Sequence, residues 1–115
     1  MSRPFSTPRR FPRLQAAHPL FVELVEGGSR GGFGRTEVIG EGGCMFTSRQ
    51  RMGFLSLMRL FISAGGRVVH ADARVAYERP RHDGRFEVGV EFLRLSPTDR
   101  AHLRALVASR LSVDH

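Results

Sequence analysis

The sequence predicts a small antiparallel β-barrel covered by one C-terminal helix. Two observations carry that expectation. Apolar and polar residues alternate in several short runs separated by glycine-rich or Asp-Gly turns, which is the period of half-buried strands. Beyond Leu95 the pattern changes to helical spacing behind a serine and a proline suited to a helix start. At 115 residues, 41% of them hydrophobic and 25% charged, the chain has the size of one domain, and closing its strands into a barrel removes exposed sheet edges.

The elements follow in order. Residues 1–13 carry Arg3, Arg9, Arg10 and Arg13, three prolines and no acid, and read as an extended arm ahead of a folded domain over 14–112. From Ala17 to Glu26, Leu20, Val22 and Leu24 alternate with Phe21, Glu23 and Val25, a strand pattern. Gly27 to Gly34 is too rich in glycine for a regular element and is expected to be a flexible connection. A second strand begins near Arg35, is interrupted at Gly40-Glu41-Gly42-Gly43 by a bulge or tight turn, and resumes through Cys44-Met45-Phe46. Gly53 to Ser63 fits either period and is read as a strand from its glycine boundaries and the strand that follows. There Val69, Ala71, Ala73, Val75 and Tyr77 share one face. Pro80 to Gly84 supplies a turn, and Phe86, Val88, Val90 and Phe92 line the next strand. Ser96 caps a helix that begins at Pro97, carries Asp99 in its first turn and runs to about Leu111. Its Leu103, Leu106, Val107 and Leu111 form the face expected to be buried, with Leu106 a costly position to truncate.

Charge narrows the chemistry. Eighteen basic residues against 11 acidic ones give a net charge of +7, and every basic residue is arginine. The absence of lysine excludes a phosphate-loop lysine, a Schiff-base lysine and a pyridoxal site. Arginine's planar, five-donor guanidinium suits bidentate contacts with phosphate and guanine edges, so an anionic partner is suggested. Cys44 is the sole cysteine; it permits no intramolecular disulfide and fits a reducing, cytoplasmic setting. No secretory signal opens the chain, and no apolar run is long enough to span a membrane. His18, His70, His82, His102 and His115 show no metal-ligand spacing, His70 and Asp72 read as a surface pair, and Cys44 reads as a buried thiol. Neither catalysis, a metal nor a cofactor is expected.

Two motifs rise above this background. Arg9-Arg10-Phe11-Pro12-Arg13 contains Arg-x-x-x-Arg just before the first strand, and Val38-Ile39-Gly40-Glu41-Gly42-Gly43 follows after the second strand begins. Gly89-Val90-Glu91-Phe92-Leu93, then Leu95-Ser96-Pro97 and the helix, close the pattern. In order and spacing the chain resembles the PilZ domain family from residue 9 to about 111, with the second motif standing where that family carries Asp/Asn-x-Ser-x-x-Gly. The resemblance implies a six-stranded antiparallel barrel that binds the bacterial second messenger cyclic di-GMP as a regulatory ligand. It assigns ligand contacts to Arg9, Arg13 and Gly43, with Arg10 in reserve. The sequence departs from the family at Val38, which has no acceptor for guanine N–H groups, and at Gly40, which has no hydroxyl.

The first expectation is therefore a cyclic di-GMP receptor of weakened affinity that relays its signal to an unidentified partner protein. The alternative is a nucleotide-independent adaptor of the same fold, acting through protein contacts in motility or secretion, with Phe54 to Ile62 or the helix as its surface. Arg30-Gly31-Gly32-Phe33-Gly34-Arg35 also resembles a short RGG-type loop. Nucleic acid is nonetheless disfavoured, because an aromatic platform needs solvent-facing rings and most phenylalanines are expected on apolar strand faces.

Overall fold

The computed structural model describes residues 13–25 and 31–113. Among these residues seven strands form one antiparallel sheet: β1 (Arg13–Gln15), β2 (Pro19–Leu24), β3 (Gly31–Gly40), β4 (Gly43–Ser48), β5 (Leu57–Ala64), β6 (Arg67–Pro80) and β7 (Phe86–Leu95). The sheet runs β3-β2-β5-β6-β7-β4, and pairing of β4 with β3 closes these six strands into a barrel. β1 is a short addition to β3, beside the part of that strand which β2 leaves uncovered. Helix α1 (Pro97–Val113) follows β7.

Strand alternation builds the core. Leu20, Val22, Ile39, Phe46, Met58, Leu60, Ile62, Val69, Val75, Val88 and Val90 are buried inside the barrel, together with Cys44. Such β-branched and aromatic residues pack well on a pleated surface. The helix starts as its sequence dictates: Ser96 Oγ accepts the Asp99 N–H at 3.0 Å, and the Ser96 carbonyl accepts the Arg100 N–H at 2.8 Å. Leu103 and Val107 are buried against the barrel, whereas Leu106 is only half-buried. This corrects the choice of Leu106 as the deeply buried position, and the Leu111 side chain lies outside the described residues. Asp99 is itself buried, accepting from Arg67 Nε at 2.8 Å and from the His70 backbone N–H at 3.2 Å. Burial pushes its carboxyl up, but these bonds and the Arg67 charge outweigh it and hold the group below its ordinary value.

Three further expectations are corrected. Gly31 to Gly34 lies in β3 and is not a connection: Glu23 to Pro19 pair with Gly31 to Arg35 in register, so backbone hydrogen bonds to β2 extend the strand through residues with no side-chain pattern to read. The segment read as strand from Gly53 enters β5 only at Leu57. Its first residues form a turn because Glu78 caps them, accepting from the backbone N–H groups of Met52 and Gly53, while Gly53 (φ 101°) and Leu55 (φ 69°) take left-handed conformations. Tyr77 leaves the core face of β6. A bulge between Val75 and Tyr77 pairs it with Gly89, and its hydroxyl donates to Glu87 at 3.0 Å. A β-carbon at residue 89 would collide with the Tyr77 ring, so only glycine admits this packing.

Candidate functional site around the β3–β4 turn

The second motif occupies the end of β3 and the tight turn into β4. Ile39 points into the core and is fully buried, which turns the half-buried Val38 away from the interior. Gly40 ends β3, Glu41 and Gly42 make the turn, and Gly43 opens β4. Positive φ angles among the described glycines fall at Gly53, Gly65, Gly66 and Gly84, not at Gly40 or Gly43. Side chains other than glycine are therefore free of backbone strain at Gly40. The turn is fixed from a second side by the Phe92 N–H, which donates to the Gly42 carbonyl at 2.9 Å.

β1 brings the first motif's trailing end to this place. Arg13 pairs with Gly40, Leu14 with Ile39 and Gln15 with Val38. Buried Thr36 fastens the corner that follows β1: its hydroxyl accepts the His18 N–H at 2.9 Å and donates to the Ala16 carbonyl at 2.6 Å. The Ala16 N–H in turn donates to the Glu37 carbonyl at 3.1 Å. Thus the segment running back from Arg13 starts directly beside Gly40. The structure brings Arg13, Val38, Gly40 and Gly43 to one end of β3; Arg9 and Arg10 lie outside the described residues, as does the side chain of Arg13.

The sequence did not reveal the partner of Glu41. Its carboxylate is buried, with Arg104 Nη2 at 2.7 Å, Arg104 Nε at 3.3 Å and Arg100 Nη1 at 3.9 Å. The signal was the four-residue spacing of Arg100 and Arg104, which puts both guanidiniums on one helix face. The hydrogen bond from Arg104 lowers the Glu41 carboxyl from its ordinary value, burial opposes it, and the charges of Arg104 and Arg100 reinforce it. This link joins the motif turn to α1.

A carboxyl whose folded-state pKa lies below its unfolded value stabilises the fold above the unfolded pKa of about 4.3, and that contribution disappears as pH falls through the folded-state value. Glu41→Gln is expected to melt below the parent protein at neutral pH, with the gap closing on acidification through the carboxylate range. Thermal melts from pH 7 downward check this; a gap independent of pH would mean that the ion pair contributes nothing.

Cys44, beside the motif in β4, is 1% exposed, and burial pushes its thiol up to about 12. It is a packed thiol rather than a nucleophile. His70 is exposed and Asp72 half-buried on the outer face of β6, as a surface pair would be. Among the described residues no cluster of three His, Cys, Asp or Glu side chains is placed to hold a metal ion, and no helix is long and apolar enough to cross a membrane.

Known structures share this architecture. The inhibitor of motility MotI/DgrA from Bacillus subtilis superposes with a TM-score of 0.78 at 15% identity, over 93% of this chain and 53% of that one. YcgR from Escherichia coli, solved in complex with c-di-GMP, gives 0.75 at 19% identity, over 93% of this chain and 47% of that one. The PilZ domain of CeSA from a cellulose-synthesizing bacterium gives 0.62 at 17% identity, over 90% and 99%. The chain spans about half the length of MotI/DgrA and YcgR. No curated protein sequence matches it. The PilZ domain model matches residues 7–109, nearly the whole chain. With the closed six-stranded barrel, the C-terminal helix and the β3–β4 turn in their expected order, the chain belongs to the PilZ domain family.

Proposed function

We propose that this chain is a non-catalytic cyclic di-GMP receptor, cytoplasmic, with an arm over 1–13 and a barrel domain over 14–112, and that ligand binding alters the surface it offers to a partner protein. The observation that carries this reading is the register of β1, which starts the arginine-bearing segment at Gly40, beside the motif turn. Family membership and the c-di-GMP complexes of YcgR and of MrkH from K. pneumonia support the ligand's identity.

The chemistry is consistent with that ligand. One guanidinium meets guanine O6 and N7 bidentately, and the phosphates take further cationic donors. Arg9 and Arg13, with Arg10 in reserve, are assigned to those contacts, and Gly43 to close backbone approach. Backbone N–H groups of the turn add an anion-binding concavity. Replacement of both Arg9 and Arg13 by alanine is expected to reduce affinity at least tenfold with little change in melting temperature, as read by calorimetric titration with GTP and GMP as controls. Unaltered affinity in that double variant overturns the assignment.

A second reading has its own observation. Val38 and Gly40 offer no side-chain acceptor, and the one carboxylate of the turn, Glu41, is engaged by Arg104. A nucleotide-independent adaptor of PilZ type has no need of those acceptors. Absence of binding by both the natural chain and the variant restored at residues 38 and 40 favours the adaptor.

A further inference from the structure

Four rings form a ladder across the outer face of adjacent strands. Phe33 on β3 lies opposite Phe21 on β2 with ring centroids 4.8 Å apart, Phe21 faces Phe61 on β5 at 6.1 Å, and Phe61 meets His70 on β6 edge-on at 4.2 Å. Phe33 is 89% exposed, Phe21 and Phe61 are half-buried, and His70 is exposed. The premise that disfavoured nucleic acid, namely that phenylalanines sit on apolar faces, fails at these positions. An exposed phenylalanine ring is costly in water, and three in register on one sheet face form a stacking surface.

The ladder borders an open groove also lined by Arg35, Arg49 and Arg85. All three are exposed; Arg35 and Arg49 have no acidic ion-pair partner among the described residues, while Arg85 lies in the field of Asp83, whose carboxylate accepts the Arg85 backbone N–H at 3.0 Å. A fourth lining arginine, Arg51, pairs with Glu78 at 3.8 Å. Among the described residues the one carboxylate in the lining, Glu37, is occupied by the Thr47 hydroxyl and by Arg81 at 3.4 Å. Arg35 and Arg49 beside one fully exposed ring and two half-buried, mutually tilted ones are what a single strand uses: base faces on aromatics and phosphates on guanidiniums. Phe33 is seven residues from Gly40 along β3, roughly 20 Å at strand rise, so the aromatic end of the groove stands apart from the motif turn, while Glu37 at its other end adjoins Val38.

We propose that this groove binds single-stranded nucleic acid, with bases stacked on Phe33, Phe21 and Phe61 and phosphates held by Arg35, Arg49 and Arg85. The inference is independent of the cyclic di-GMP reading. Fluorescence anisotropy of the full chain with a labelled oligothymidylate of about 20 nucleotides, at low and rising salt, tests it. Binding is expected, with Phe33→Ala about tenfold weaker or more and Phe33→Tyr close to the parent protein. Because Phe33→Ala removes no charge, its loss isolates stacking from the general attraction of an arginine-rich chain. Arg35→Gln with Arg49→Gln is expected to flatten the logarithmic salt slope by about 1.4, from about 0.7 per phosphate contact. Saturating cyclic di-GMP is expected to leave the bound oligonucleotide in place. The proposal is overturned if a folded Phe33→Ala variant binds as the parent does, or if the parent does not bind at low salt. Displacement by cyclic di-GMP, or a homodimer by sedimentation that Phe33→Ala dissolves, assigns the face to another occupant and also overturns it.

Discussion

Val38→Asp combined with Gly40→Ser is expected to raise cyclic di-GMP affinity by roughly 30-fold to 2000-fold. The range sums one charge-assisted hydrogen bond of about 1.5–3 kcal/mol and one neutral bond of about 0.5–1.5 kcal/mol. The fold favours the experiment. Val38 points away from the core, between Gln15 on β1 and Met45 on β4, so a carboxylate there avoids the barrel interior. Gly40 has no positive φ, so serine meets no left-handed strain. Calorimetric titration and thermal melts on the same variants separate affinity from stability. A folded double variant that binds no better than the parent shows that the missing acceptors are not what sets affinity.

Leu103→Ala is expected to cost about 2–5 kcal/mol of stability, since the side chain is fully buried between α1 and the barrel. Leu106→Ala is expected to cost clearly less, because Leu106 is half-buried at the margin of the same contact. Chemical denaturation of the two variants gives the comparison directly. Equal losses, or none at Leu103, would separate the helix from the barrel core.

Particular residues show why some features were legible in the sequence and others were not. The alternation of Val69, Ala71, Ala73 and Val75, and the Ser96-Pro97 start of the helix, are local patterns with local causes, and the structure keeps them. Gly31 to Gly34 has no side-chain period, so its strand state depends on its β2 neighbours and is invisible without them. The turn at Gly53 to Ser56 depends on Glu78, 25 residues from Gly53 in sequence, and the outward position of Tyr77 on a bulge against Gly89. In each case a distant partner overrides the local pattern. At the site, motif order was readable, since it needs only spacing. Burial of Glu41 against Arg104 was not, because 63 residues separate them. The aromatic ladder was missed for a related reason: Phe21, Phe33 and Phe61 each look like core residues until strand register puts them side by side on the outer face.

Calorimetric titration of the full chain with cyclic di-GMP tests whether the arm and the β3–β4 turn act together as one nucleotide site. Saturable binding that GTP and GMP do not reproduce is expected, weakened at least tenfold on replacing Arg9 and Arg13 and strengthened by Val38→Asp with Gly40→Ser. Absence of binding by both the natural chain and the restored variant, with each folded, would contradict that expectation.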